Sequence, residues 1–336
     1  MSETVITSNG SNGRHVTHAV VPPEQFGTAA VWTHRLALAA CVVSFLLITL
    51  GGHVTSTGSG DAEATWPFGA FRAAWDWWIE MGHRYLGMVV GVLVLALTAT
   101  VEATDDRPRA RMLGRIALGW VVVQGLLGGL RIYFPDAQYP NERAAIAVVH
   151  TCVGQSFFAF LAAFALYLSP SWRRADAESV EDARVGTMRF VANAAPVLLL
   201  TQIGLGALVR HLGHPIVTML HIIMALLVIG WVYVVGMVAL ARYPMLTGLR
   251  RTGAVLVGLV TIQLFFGLAA YGVVDRTNRA INLAAVVPTL HLAVGVMCLV
   301  TSVLLAVRLG RWVRPPADGN TAAEPETPAA ALPAAT

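Results

Sequence analysis

The chain has 336 residues, 56% of them hydrophobic and 12% charged, about half the charged fraction usual in a soluble protein. That balance excludes a soluble globular enzyme of this length and places the chain in lipid. The net charge of +4 comes from arginine alone, with no lysine, and the arginines are dispersed among connecting segments rather than interleaved with aromatics on one face, which excludes a nucleic-acid-binding surface.

A helix crosses a bilayer core with about 20 apolar residues. Eight such stretches follow one another, at approximately 33–52, 79–101, 112–131, 144–168, 187–209, 215–240, 252–274 and 283–308. The expected class is therefore an all-α integral membrane protein. Residues 1–32 are rich in Ser, Thr, Asn and Gly and lack the short apolar core of a cleavable signal peptide, so they read as a disordered tail before a first helix that serves as signal anchor. Residues 169–186 read as a linker, and residues 309–336, mostly Pro and Ala with scattered acids, as a second disordered tail.

Arg72, Arg84, Arg131, Arg143, Arg210, Arg276 and Arg279 fall on one side of these spans, and all the other arginines, Arg14 and Arg174 among them, on the side of the chain ends. The positive-inside rule then puts both termini in the cytoplasm of a cell-membrane protein. Cys41, Cys152 and Cys298 each lie within a span, so no disulfide is expected.

The odd-numbered spans end alike. Thr49-Leu50-Gly51-Gly52-His53 is followed by Gln124-Gly125-Leu126-Leu127-Gly128-Gly129, Gln202-Ile203-Gly204-Leu205-Gly206 and Gln263-Leu264-Phe265-Phe266-Gly267. This is an internal repeat of a helical hairpin, and it predicts two similar four-helix bundles, 33–168 and 187–308. The small residues let helices approach closely in lipid and also clear space for a flat macrocycle. Gln124, Gln202 and Gln263 are expected to face helix partners, because an unpaired amide in hydrocarbon is costly.

Each even-numbered span carries a histidine near its outer end: His83, His150, His221 and His291. A single histidine in a membrane helix is often only a satisfied polar group. Four at one depth on alternate helices point further, to neutral imidazoles ligating haem iron, either as two six-coordinate sites or as one ligated haem beside a more labile one. Zinc sites usually add cysteine or carboxylate ligands, which are scarce here. A proton relay would change depth across the membrane, which these four do not. His15, His18, His34, His53, His211 and His214 lie in tails, helix ends or loops and are weaker candidates.

The second span opens Glu80-Met81-Gly82-His83-Arg84, with Glu80 on the same helix face as His83 and Arg84. Glu80 is either half of a self-neutralising pair with Arg84 or a group that handles protons beside a haem at His83. Arg84, Arg131, Arg143 and Arg210 sit at outer helix ends, as ordinary interfacial anchors or as partners for haem propionates. Trp66, Trp75, Trp77 and Trp78 form an interfacial belt or part of a lid.

Together these residues resemble the haem A synthase family of cytochrome oxidase biogenesis over approximately residues 33–308. The resemblance rests on the eight-helix plan, the four histidines, Glu80-x-x-His83-Arg84, and Gly51-Gly52-x-Val54-Thr55-x-Thr57-Gly58-Ser59-Gly60 followed by Trp66-Pro67. It implies a haem B cofactor between His221 and His291 and a haem O substrate between His83 and His150. It also implies oxidation of the haem O C8 methyl group to a formyl group by successive hydroxylations, with electrons relayed through haem B and Glu80 placed at the substrate haem. Many bacterial members carry a cysteine pair in the first outer loop, where this chain reads Gly60-Asp61-Ala62-Glu63-Ala64-Thr65. The expected partners are haem O synthase, a membrane electron donor and a second copy of the chain in a homo-oligomer. The competing class is a non-enzymatic di-haem cytochrome for quinol-linked electron transfer, which needs neither an exchangeable haem nor Glu80.

Overall fold

A computed structural model describes residues 5–9, 15–19, 27–134, 138–173, 179–274 and 281–316. Nine helices are present among them: α1 (Thr28–Thr57), α2 (Trp75–Thr104), α3 (Pro108–Leu130), α4 (Pro140–Leu168), the short α5 (Pro170–Arg173), α6 (Val185–Leu212), α7 (Pro215–Arg242), α8 (Thr247–Val274) and α9 (Ile281–Trp312). All but α5 contain a segment long and apolar enough to cross a membrane. These are the eight expected spans, each longer than its apolar stretch because polar or small residues complete the end turns. Prolines at the first turns of α3, α4 and α7 start those helices, where a missing N–H costs nothing.

Helices α1 to α4 pack in a ring, α1 on α2, α2 on α3, α3 on α4 and α4 on α1, and α6 to α9 repeat the ring. Each ring has its own core. One is built on Val90, Val94, Leu97, Phe157, Leu161 and Phe164, the other on Val228, Val232, Leu256, Val260, Val296 and Leu299, with Phe158 reaching across from α4. The bundles meet through α1 and α4 against α9, and α4 against α6. On α7, Ile216, Met219, Ile223, Leu226 and Leu227 are exposed, as a helix facing lipid requires.

Both ends of the chain and the linker meet at one end of this assembly. Strands β1 (Val5–Asn9), β2 (His15–Ala19), β3 (Ser179–Glu181) and β4 (Val313–Arg314) form a sheet in that order. Val5 pairs with Ala19 and Val16 with Val180, both antiparallel, and Val180 pairs with Val313 in parallel. Strands at 5–9 and 15–19 within 1–32, and at 313–314 within 309–336, stand where disordered tails are expected, and 179–181 adds a strand within the linker 169–186. Ser and Asn dominate the composition of the first tail, but Val5-Ile6-Thr7 and Val16-Thr17 are β-branched and suit a strand beside an available edge. Residues 317–336, Arg14, Arg174, Arg276 and Arg279 lie outside the described residues.

Asp182 fastens the linker to this end. Its carboxylate accepts hydrogen bonds from Arg242 Nε and Nη2, both at 2.6 Å, from the Tyr243 hydroxyl at 2.9 Å and from the Arg184 backbone N–H at 2.9 Å. Burial pushes its pKa up, but these donors outweigh burial and hold it at about 2, below the ordinary 3.8. A carboxyl with a depressed folded pKa stabilises the fold above its unfolded pKa and loses that contribution as pH falls through the folded value. Asp182→Asn is therefore expected to lower the unfolding temperature in detergent at neutral pH, with the gap to wild type closing between pH 3.8 and about 2. An unchanged melting curve at neutral pH would show the cluster to be dispensable.

Candidate functional site

The four histidines occupy one repeated structural unit. In each helical hairpin the imidazole of the second helix lies against a glycine of the first. A Cβ at Gly51 would come within 2.7 Å of His83 Cε1, at Gly128 within 3.2 Å of His150 Cε1, at Gly206 within 3.1 Å of His221 Cε1 and at Gly267 within 3.1 Å of His291 Cε1. The glycines are thus cradles for the rings, a closer reason for their presence than helix approach alone. One turn earlier on the first helix stands Gln124, Gln202 or Gln263, and in the first hairpin Leu47. One turn after the histidine on the second helix stands a small residue, Gly87, Gly154, Ala225 or Gly295. A Cβ at Gly154 would meet the Gln124 amide at 2.6 Å, and one at Gly295 the Gln263 amide at 3.0 Å.

The glutamines reach the rings, as polar groups in apolar helices must reach something. Gln124 Nε2 lies 3.0 Å from His150 Nδ1 and donates to the His150 carbonyl at 2.9 Å. Gln202 repeats both distances at His221. Gln263 Nε2 lies 3.3 Å from His291 Nε2. His83 differs, because its Nδ1 lies 3.2 Å from the backbone carbonyl of Leu47. A carbonyl only accepts, so this ring nitrogen donates and the other keeps its lone pair. The glutamine side chains are legible as polar oddities in sequence, but their histidine partners are not.

His221 and His291 face one another across the second bundle, with ring centroids 6.4 Å apart and planes at 80°. An imidazole bound to a metal at about 2 Å has its ring centre about 3 Å from the metal, so two such rings bracket one metal at about 6 Å. His83 and His150 lie within electrostatic reach of each other and of Arg131 in the first bundle. Among the described residues no group of three or more His, Cys, Asp or Glu is placed to hold a metal ion. Zinc, which takes four protein ligands or three and a water, is therefore poorly served. Two opposed imidazoles suit a metal that brings its own equatorial ligands.

Above the first bundle, the connection from Gly58 to Ala74 folds back over α2 and is pinned there by charge. Glu80, 5% exposed, accepts from the Glu63 backbone N–H at 2.9 Å and from Arg84 Nη2 at 2.5 Å. Arg84 also donates to the Glu63 carbonyl at 2.8 Å and to the Thr65 carbonyl. Glu63 is itself buried, and its carboxylate accepts from the Thr65 backbone N–H at 3.0 Å and hydroxyl at 2.8 Å; these bonds lower its pKa. Arg143 pairs with Asp61. Nothing in sequence distinguishes Glu63 from an ordinary loop acid.

The other predicted residues divide by position. Arg84 and Arg143 are committed to this connection, and Arg210 donates to the Gly52 carbonyl at 2.6 Å and to Ser56, tying α6 to α1. Arg131 lies beside Gly60 and within electrostatic reach of both first-bundle histidines. Trp66 packs on Gly129, whose Cβ would lie 2.8 Å from the indole, next to the Gly128 cradle. Trp75 and Trp78 are exposed and Trp77 is buried. His34 bonds the Ala165 carbonyl and His214 caps α7, both away from the paired rings. Among the described residues the second bundle shows no comparable cover, since Gly213 and His214 alone join α6 to α7.

A family model described as cytochrome oxidase assembly protein matches residues 70–216. That stretch includes Glu80, His83, Arg84, Arg131, His150 and Arg210, and ends before His221 and His291. No curated protein matches the chain.

Proposed function

We propose that this protein, a member of the cytochrome oxidase assembly family, is a haem A synthase. It would oxidise the C8 methyl group of haem O to a formyl group by successive hydroxylations, with a haem B cofactor relaying electrons. The observation that carries the reading is the pair of opposed imidazoles, His221 and His291, 6.4 Å apart, in a unit that recurs at His83 and His150. On this reading His221 and His291 hold haem B, and His83 and His150 hold haem O. Haem B, when bound, supplies one-electron chemistry that no side chain here can.

The chain's own contribution is placement and cover. Glycine cradles set the rings, and the Gly58–Ala74 connection shields the haem O site from water, with Glu80 and Arg84 anchoring it. Arg131 is the preferred partner for a propionate at that site, because it neighbours both histidines and offers a planar fork of donors. Glu80 handles protons beside the His83 haem. The positive-inside pattern puts both haem sites toward the outer face and both termini in the cytoplasm. Haem O synthase, a membrane electron donor and a second copy of the chain are the proposed partners.

The close likeness of the four histidine units favours a second reading, a di-haem electron carrier in which both haems are permanent. The cover over the first bundle, unmatched among the described residues of the second, favours the enzyme, since a carrier needs no lid on one site alone. Co-expression with haem O synthase, followed by extraction and chromatographic identification of the haems, separates the two. The expected result is formyl haem in cells that contain this chain. Haem B alone, at two equivalents per chain, would establish the carrier instead.

A further inference from the structure

The side-chain carbonyl oxygens of Gln124, Gln202 and Gln263 are buried without a hydrogen-bond partner, and so is His291 Nδ1. An unpartnered buried polar atom is costly, and all of these belong to the histidine rings or to the amides in contact with them. An imidazole that ligates iron through one nitrogen carries a proton on the other and needs an acceptor there. At His221 the only side-chain amide in contact presents Nε2 to the ring, 3.0 Å from Nδ1, which suits a ring whose Nδ1 accepts. A half-turn of the amide about its last bond exchanges its nitrogen and oxygen. It puts the unpartnered oxygen on the ring nitrogen. The turn also takes the amide N–H off the His221 carbonyl, 2.9 Å away, so the side chain shifts with it to keep the two oxygens apart, and that carbonyl retains its helical i to i+4 acceptor role.

Helix packing does not explain the glutamines. In the first hairpin the same position is Leu47, set 3.9 Å from where a Cβ at Gly87 would be, and α1 and α2 pair there without an amide. We propose that Gln202 and Gln263 are positioning residues for the haem B ligands, each accepting through its side-chain carbonyl the proton on the non-ligating nitrogen of His221 or His291. The proposal rests on the haem reading given above. Gln124 is the same device at His150. His83, held by the Leu47 backbone carbonyl, is already a donor on Nδ1 and is ready to ligate with no side-chain turn.

The test uses the full-length protein in detergent, with haem retention and the haem midpoint potential as readouts. Gln202→Glu is expected to keep the haem and lower its potential, because a carboxylate acceptor makes the imidazole more basic and favours ferric iron. Gln202→Leu is expected to raise the potential and weaken haem binding by about 10–100-fold. A merely structural role would not displace the two variants in opposite directions. Gln263→Glu gives the same reading from the facing ring if Gln202→Glu fails to accumulate. Wild-type potentials in both glutamate variants, or shifts of the same sign in Gln202→Glu and Gln202→Leu, would overturn the proposal. His221→Ala separates this from the parent reading: if it keeps the wild-type haem, the site assignment itself fails. If it loses haem while the glutamine variants stay silent, only the glutamine role fails.

Discussion

His221→Ala or His291→Ala is expected to abolish stable haem B retention, while the variants still insert and fold. Each ring is half-buried and held by a glycine cradle and a glutamine, so its loss leaves a small cavity and removes one of the two side chains that would hold the haem. The expected spectrum of the purified variant has no low-spin, bis-imidazole haem signal, and haem A no longer forms, because the electron relay is gone. His83→Ala and His150→Ala should behave differently, keeping the haem B signal and losing product. The contrast between the pairs carries the assignment. If all four variants lost haem B equally, the division into cofactor and substrate sides would be wrong, and a carrier with two equivalent haems would fit better.

The arrangement behind that proposed division was legible from sequence only in outline. The four histidines stand out because a period of one per hairpin survives in any one-dimensional reading, and the glycines and glutamines stand out with them. The partner of each glutamine is set by the rotation of one helix against the next, which spacing alone does not specify. Leu47 is invisible for the opposite reason: one leucine among many apolar residues becomes informative only when its position is seen to match Gln124, Gln202 and Gln263 in space. The connection after α1 was the least readable segment. Its acids looked out of place, yet Asp61 pairs with Arg143, and the backbone of Glu63 bridges Glu80 and Arg84. Irregular backbone is ordered by such specific contacts, with no periodicity to announce them. Four short strands were missed at the other end, β1 and β2 because polar composition outweighed a few β-branched residues.

Glu80→Gln is expected to lower haem A formation by about 100-fold or more, the usual scale for removing a proton-handling group, while haem B stays bound at His221 and His291. The substitution is chosen for what it preserves. Gln at this position can still accept from the Glu63 backbone N–H, now 2.9 Å from Glu80 Oε2, so the cover over the first bundle keeps an anchor. Glu80→Ala removes that acceptor as well and strands Arg84, whose side chain is 9% exposed. Breaking a buried pair from one side costs about 3–5 kcal/mol, so Glu80→Ala should also unfold at a lower temperature. Arg84→Leu strands the carboxylate instead and should destabilise to a similar degree. If Glu80 served only as a tether, product formation would follow stability: Glu80→Gln would be nearly as active as wild type, and Glu80→Ala and Arg84→Leu would be equally poor. If Glu80 handles protons, Glu80→Gln is as inactive as Glu80→Ala despite its higher stability. Wild-type product formation by Glu80→Gln would leave Glu80 and Arg84 as the hinge pin of the cover and move the search for a proton donor to Glu63, the other buried acid in contact with the same backbone.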